Sequence, residues 1–288
     1  MMSQATNALL LGVLISAVAG CAPRPEADVA PSPGPLPSDR SAAGPSILAI
    51  GLPIGLQVAL KDLQDRFAAD HPQTKLEFHE REVEGLVRDV KSGKLVLDII
   101  LAQGELELKP LLDAGLVEGP GTPIFSRSME LIVPRGNPRG LKSLADLARD
   151  EVREVVVATP ETSLGQASEQ ALSKAGVLDK LTQAGKLRRV SQPLEAKRLV
   201  AAAKADAALV YSAARRPGGG TADPVRSAEG KVDTVLTVPE TEAGPLVVVA
   251  VVLKSAPSPE LSEEFISFLQ TPTMQEALAL RGYGRVQQ

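Results

Sequence analysis

The residues able to do chemistry are few in this 288-residue chain. It holds one cysteine, two histidines and some hydroxyls beside glycines. Cys21 follows Val18-Ala19-Gly20, and small residues before a cysteine let signal peptidase II bind the extended chain, leaving the thiol of a new N-terminus to carry a lipid. With no second cysteine, no internal disulfide can form, and the core alone must hold the exported fold. His79, Glu80, Glu82 and Glu84 gather one imidazole with three carboxylates. The spacing is not HExxH and no second histidine lies at ligand distance, so a strand-like turn with alternate residues in solvent is expected rather than a metal site. Gly218-Gly219-Gly220 lacks the Gly-Lys-Ser/Thr ending of a phosphate loop and reads as a surface turn. Ser163, three residues before Gln166, has the form of a capping box. Nothing resembles a nucleophile elbow or a paired acid and base, so no catalytic residue, cofactor or metal is expected.

The elements that position these residues begin with a leader. Ala8–Gly20 is an uncharged run of the length of a signal-peptide core, too short to span a bilayer comfortably, although the first basic residue is Arg24. Residues 1–20 are therefore read as a signal peptide. From Ala22 to Ser46 the chain is rich in Pro, Ala, Ser and Gly and cannot bury enough apolar surface to offset its entropy, so 21–46 reads as a lipidated cysteine and an extended tether.

From Ile47 onward short apolar runs alternate with longer amphipathic ones, which predicts an α/β fold with largely parallel sheets. Ile47–Gly51 forms a strand; Leu56, Leu60, Leu63 and Phe67 make one helical stripe, ended at Asp70-His71-Pro72. Lys75–Phe78 forms the next strand, and Val83, Leu86, Val87 and Val90 repeat the stripe before Ser92-Gly93. Leu95–Ala102 reads as a buried strand carrying Asp98, and Leu106–Ala114 as a helix. Strands follow at 130–134, 155–158, 207–211, 234–238 and 246–253. Helices start at the Ser143–Asp146 capping box, at Ser163 and at Pro193, and two more close the chain at 259–269 and 272–280. About 240 ordered residues are enough for such a core.

The net charge of −4, the absence of a basic stripe and an aromatic content of 2% exclude a nucleic-acid surface. A small anion needs no lysine or arginine if helix N-termini supply unpaired amides and the positive end of their dipole.

Several phrases occur in an order that resembles the molybdate-binding periplasmic proteins of ABC importers. Leu131–Pro138, reading LIVPRGNP, is similar to that family's strand-to-turn phrase, with Ser143–Ala148 (SLADLA) at the usual interval. Ala205–Tyr211 (ADAALVY) resembles a later strand, and Val251–Lys254 and Phe265–Leu269 resemble the last strand and helix. The resemblance implies a type II periplasmic binding protein, two α/β lobes with a ligand cleft between them. Lobe 1 would take 47–127 and 240–288, and lobe 2 would take 128–239.

The resemblance also implies five ligand contacts. Where the family has a serine in the first loop, this chain has Gly55, leaving the amides of Gly55 and Leu56; Val83 occupies the place of the second serine. Ser163 and Gly165 fall where a helix-start amide is expected. Pro193 falls at the fourth and has no N–H to give. Tyr211 matches the tyrosine that ends the later strand. The expected function is an extracytoplasmic lipoprotein, a monomer, that binds molybdate, tungstate or a similar oxyanion and passes it to an ABC permease in the inner membrane. It would be lipid-anchored on the periplasmic side, and Ala22 after Cys21 points to the outer membrane in a Gram-negative cell. Two other readings stand beside this one: the same transport role with a different solute, and a tethered sensor or scaffold whose cleft has degenerated.

Overall fold

The computed structural model describes residues 46–215, 221–222, 228 and 230–286. The leader, Cys21 and the tether, and the glycines at 218–220, lie outside the described residues.

Twelve strands are present among the described residues: β1 (Ser46–Leu52), β2 (Thr74–Glu80), β3 (Ile99–Ala102), β4 (Thr122–Arg127), β5 (Met129–Pro134), β6 (Val155–Ala158), β7 (Leu187–Val190), β8 (Ala207–Tyr211), β9 (Ala214–Arg215), β10 (Thr221–Ala222), β11 (Val232–Val238) and β12 (Leu246–Val252). The helices are α1 (Gln57–Asp70), α2 (Val83–Lys91), α3 (Lys109–Asp113), α4 (Ser163–Lys174), α5 (Leu178–Gln183), α6 (Pro193–Ala201), α7 (Glu240–Ala243), α8 (Pro259–Gln270) and α9 (Pro272–Leu280). Single 3₁₀ turns occur at Leu106–Leu108 and Leu144–Ala148.

The strands form two five-stranded sheets, ordered β2-β1-β3-β12-β4 and β11-β5-β8-β6-β7, with β9 and β10 pairing separately. Both large sheets are mixed: β1 runs parallel to β2 and β3, while β12 is antiparallel to β3 and β4. In the second sheet β6 is parallel to β7 and β8, and β5 is antiparallel to β8 and β11.

Both faces of each sheet are buried, which explains why the strands read as continuous apolar runs. In the first sheet Leu48, Ile50, Val248 and Ala250 face one cluster with Phe67 and Phe265, and Ala49, Val249 and Val251 face another with Leu86 and Leu111. In the second sheet Leu131, Val155 and Leu209 face the α4 side, and Ile132, Val156 and Ala208 face α6 through Ala196 and Val200. The chain passes between the sheets twice, at Ser128 between β4 and β5 and through α7 between β11 and β12.

Some expectations change. The strand read at Leu95–Ala102 begins only at Ile99. Asp98, just before it, is fully buried: its carboxylate accepts the amides of Ala49 and Ser258, each at 2.9 Å, while its own amide donates to the Ala49 carbonyl at 2.8 Å. The helix read at 106–114 divides into a 3₁₀ turn and α3, with Pro110 at the junction. The Ser143–Asp146 capping box is formed on both sides but opens a 3₁₀ turn.

Candidate functional site

The loops that leave the strand ends meet around a small cavity of about 50 Å³. That volume is enough for a few waters or one small anion, since a single water needs about 10–15 Å³. Pro53 and Ile54 come from the β1–α1 loop, Glu82 from the start of α2, and Gln103 from the end of β3. Pro193, Leu194 and Lys197 come from α6, and Tyr211 and Ser212 from the end of β8. Arg127, the last residue of β4, completes the wall.

Arg127 is the dominant charge. Its Nη2 donates to the Ser212 carbonyl at 2.8 Å, and its guanidinium carbon lies 4.3 Å from the centroid of the Tyr211 ring. Its Nε is shut off from solvent and has no hydrogen-bond partner, and among the described residues no carboxylate reaches ion-pair distance. Burial, first, pushes the guanidinium pKa down, while Tyr283, Tyr211 and Glu130 act the other way. The group stays charged, since arginine does not deprotonate in proteins. A buried cation without a partner is costly until an anion joins it.

Around Tyr211 the phenol is held neutral. Burial and then Glu107 push its pKa far above the ordinary range, against the pull of Arg127 and of the Leu164 amide. Its hydroxyl donates to the Gln103 carbonyl at a long 3.4 Å, so a better acceptor in the cavity can recruit it. Glu82 carries the other charge. Burial first, then Glu84, push its pKa up, and among the described residues its carboxylate has no hydrogen-bond or ion-pair partner.

The residue-level comparisons with known proteins agree with this architecture. Residues 48–284 match the family of bacterial extracellular solute-binding proteins. The chain belongs to that family. This solute-binding protein is 24% identical over 257 residues to the molybdate-binding protein ModA of Mycobacterium tuberculosis, covering 88% of this chain and 90% of the relative. Its fold matches the periplasmic molybdate-binding protein of Azotobacter vinelandii with a TM-score of 0.61 at 20% identity, over 83% of this chain and all of that one. It matches PEB3 of Campylobacter jejuni, solved with L-phospholactate bound, with a TM-score of 0.65 at 18% identity and the same coverage. The α/β fold is thus that of the type II periplasmic binding proteins, and the molecule is a binding protein rather than an enzyme.

The six ligand positions implied by resemblance are not brought together around the cavity of this solute-binding protein. Only Tyr211 lines it. The Gly55 amide donates to the Glu80 carboxylate at 3.0 Å, and the Leu56 amide donates to the Pro53 carbonyl at 3.2 Å. The Ser163 amide and hydroxyl both donate to Glu107, at 3.0 and 2.6 Å. The Gly165 amide donates to Thr162 Oγ1 at 3.1 Å, and a Cβ on Gly165 would meet the Thr159 carbonyl oxygen at 1.9 Å, so close packing requires the glycine. The Val83 side chain is buried among Leu86 and Leu97. Ser163 instead borders an open neighbouring cleft of about 530 Å³ together with Gly104 and Gln166.

Two readings are corrected. Thr162, extended at φ −112° and ψ 152°, is the N-cap of α4, so the Ser163–Gln166 capping box gives way to a bond between Ser163 and Glu107. The carboxylates at 80 and 82 do not simply face solvent: Glu80 caps the Gly55 amide and Glu82 lines the cavity. The cavity that Tyr211 lines also carries two basic side chains, Arg127 and Lys197. Lys197 had a signal in the sequence, because it shares with Ala196 and Val200 the buried side of α6. Arg127 had none, since it ends an edge strand that carries Pro123. Among the described residues no group of three or more His, Cys, Asp or Glu forms a metal site, and no helix is long and apolar enough to cross a membrane.

Proposed function

We propose that this protein is the solute receptor of an ABC importer and that it captures a small oxyanion in the cavity bounded by Arg127 and Tyr211. The observation that carries this reading is the Arg127 guanidinium, set in the cavity wall with an unpartnered Nε and, among the described residues, no ion pair to a carboxylate. Only an anionic solute completes that charge, and the guanidinium fork suits oxyanions of planar or tetrahedral shape. Molybdate and tungstate are the first candidates, because the relatives at 24% identity are named for molybdate. The lipid on Cys21 would hold the receptor on the periplasmic side, on the outer membrane in a Gram-negative cell, and a permease in the inner membrane would receive the anion.

A second reading keeps the transport role and changes the anion. It is favoured by Glu80 and Glu107, which already occupy the Gly55 amide and both donors of Ser163. Thermal unfolding with molybdate, tungstate, sulfate and phosphate separates the two. An anion at one hundred times its dissociation constant adds about 2.7 kcal/mol. A shift with molybdate or tungstate alone selects the first reading, a shift with another anion selects the second, and no shift with any removes the anion receptor altogether.

A further inference from the structure

Arg127 and Glu82 line one small cavity together with Lys197, and the first two do not pair with each other. Arg127 presents an unpartnered Nε, and Glu82 presents a carboxylate that bonds to nothing among the described residues. Arg127 is tied in place by the Ser212 carbonyl and the Tyr211 ring, and Glu82 is the extended residue that enters α2. Neither reaches the other to form the pair that buried charges of opposite sign otherwise adopt.

A cavity of about 50 Å³ with this lining is satisfied by a solute with two ends. One end is negative, for Arg127 and the Tyr211 hydroxyl. The other must donate a hydrogen bond, because an ionised carboxylate only accepts. Sulfate and molybdate have no hydrogen to give, and each would leave Glu82 facing a second negative charge across the cavity. Hydrogen phosphate and 2-hydroxy carboxylates carry both a negative group and a donor. Resting on the second reading above, a receptor for a different anion, we propose that the cleft selects anions that bring their own hydrogen-bond donor, with Arg127 taking the negative group and Glu82 the donor.

Calorimetric titration of the purified protein with two matched pairs tests this: phosphate against sulfate, and glycolate against acetate, with molybdate as a further donorless probe. Within a pair, the member with a donor binds about tenfold or more tightly, because a site built around an acceptor rejects the ligand that leaves it unpaired. Glu82→Gln collapses the preference, weakening phosphate or glycolate and strengthening sulfate or molybdate, without lowering the melting temperature. Arg127→Met abolishes binding of every probe. Sulfate or molybdate binding as tightly as phosphate, with ratios unmoved by Glu82→Gln, overturns the inference and leaves the receptor reading standing. No binding of any probe by the wild type overturns both.

Discussion

The carboxylate of Glu107 accepts both the main-chain amide of Ser163, at 3.0 Å, and its hydroxyl, at 2.6 Å. Glu107 follows the first sheet through the 3₁₀ turn after β3, and Ser163 opens α4 on the second, so one side chain supplies a negative charge to a helix start that would otherwise attract an anion from solution. Replacing it exposes what it covers. Glu107→Ala frees two donors and removes a charge, so molybdate and sulfate affinity rises by about tenfold, while lost hydrogen bonds to a charged group lower stability by about 2 kcal/mol. Calorimetry with molybdate on both proteins checks the first effect and thermal unfolding the second; an unchanged affinity places the helix start outside the anion's path.

Arg127→Met is expected to separate binding from stability. A methionine fills a similar apolar volume without a charge, and replacing poorly paired buried charges by apolar groups is often neutral or stabilising by about 1–4 kcal/mol. The melting temperature without ligand therefore does not fall, whereas anion-induced stabilisation disappears. A large drop in the unliganded melting temperature would show that Arg127 holds the fold instead of awaiting a ligand.

Tyr211 contributes a hydroxyl and a ring. Tyr211→Phe keeps the face under Arg127 and removes the donor, so anion affinity weakens by about 1 kcal/mol. Tyr211→Ala loses the ring as well and weakens it by about 1–2 kcal/mol more, the range of a cation–π contact on a partly desolvated arginine. Equal affinities for the wild type and the phenylalanine variant would take the hydroxyl out of the site.

Asp98 is a structural carboxylate. It joins β1 to the segment entering α8 by accepting from Ala49 and Ser258, and Asp98→Ala leaves two amides without an acceptor in or near the core. Each such group costs about 1–3 kcal/mol, so the loss is about 3 kcal/mol in total. Urea unfolding reads it as a lower midpoint at an unchanged slope.

Asp206 gives the pH dependence. Burial alone would raise its pKa, but the Arg139 side chain and the amides of Arg153 and Glu154 outweigh this and hold the carboxyl below its usual value. A depressed folded pKa adds stability that is fully present above the unfolded value of about 3.9 and is lost as the pH falls through the folded one. The melting-temperature gap between wild type and Asp206→Asn is therefore widest near neutrality and closes in acid; a gap that widens on acidification contradicts the assignment.

The strands legible in the sequence were those buried on both faces, such as Val155–Ala158 and Leu246–Val252, because burial demands uninterrupted apolar residues. Four strands, β4, β7, β9 and β10, were not read, and the two of them that belong to the large sheets are edge strands. Pro123 in one and Arg188-Arg189 in the other are tolerated only where one side of the strand lacks a partner. Tyr211 was legible in the site because it closes a recognisable strand. Arg127 was not, because its importance comes from two contacts made across 84 or more residues of chain, to Tyr211 and Ser212. The occupied donors were equally hidden, since no local pattern announces that Glu80 will meet Gly55 or that Glu107 will meet Ser163.

One residue separates Arg127 from Met129, and with it the first sheet from the second. The side chain best placed to feel an arriving negative charge therefore stands at a passage of the chain between the two halves. A pull on the guanidinium would reach β5 through the backbone of Ser128, with no relay of intervening side chains.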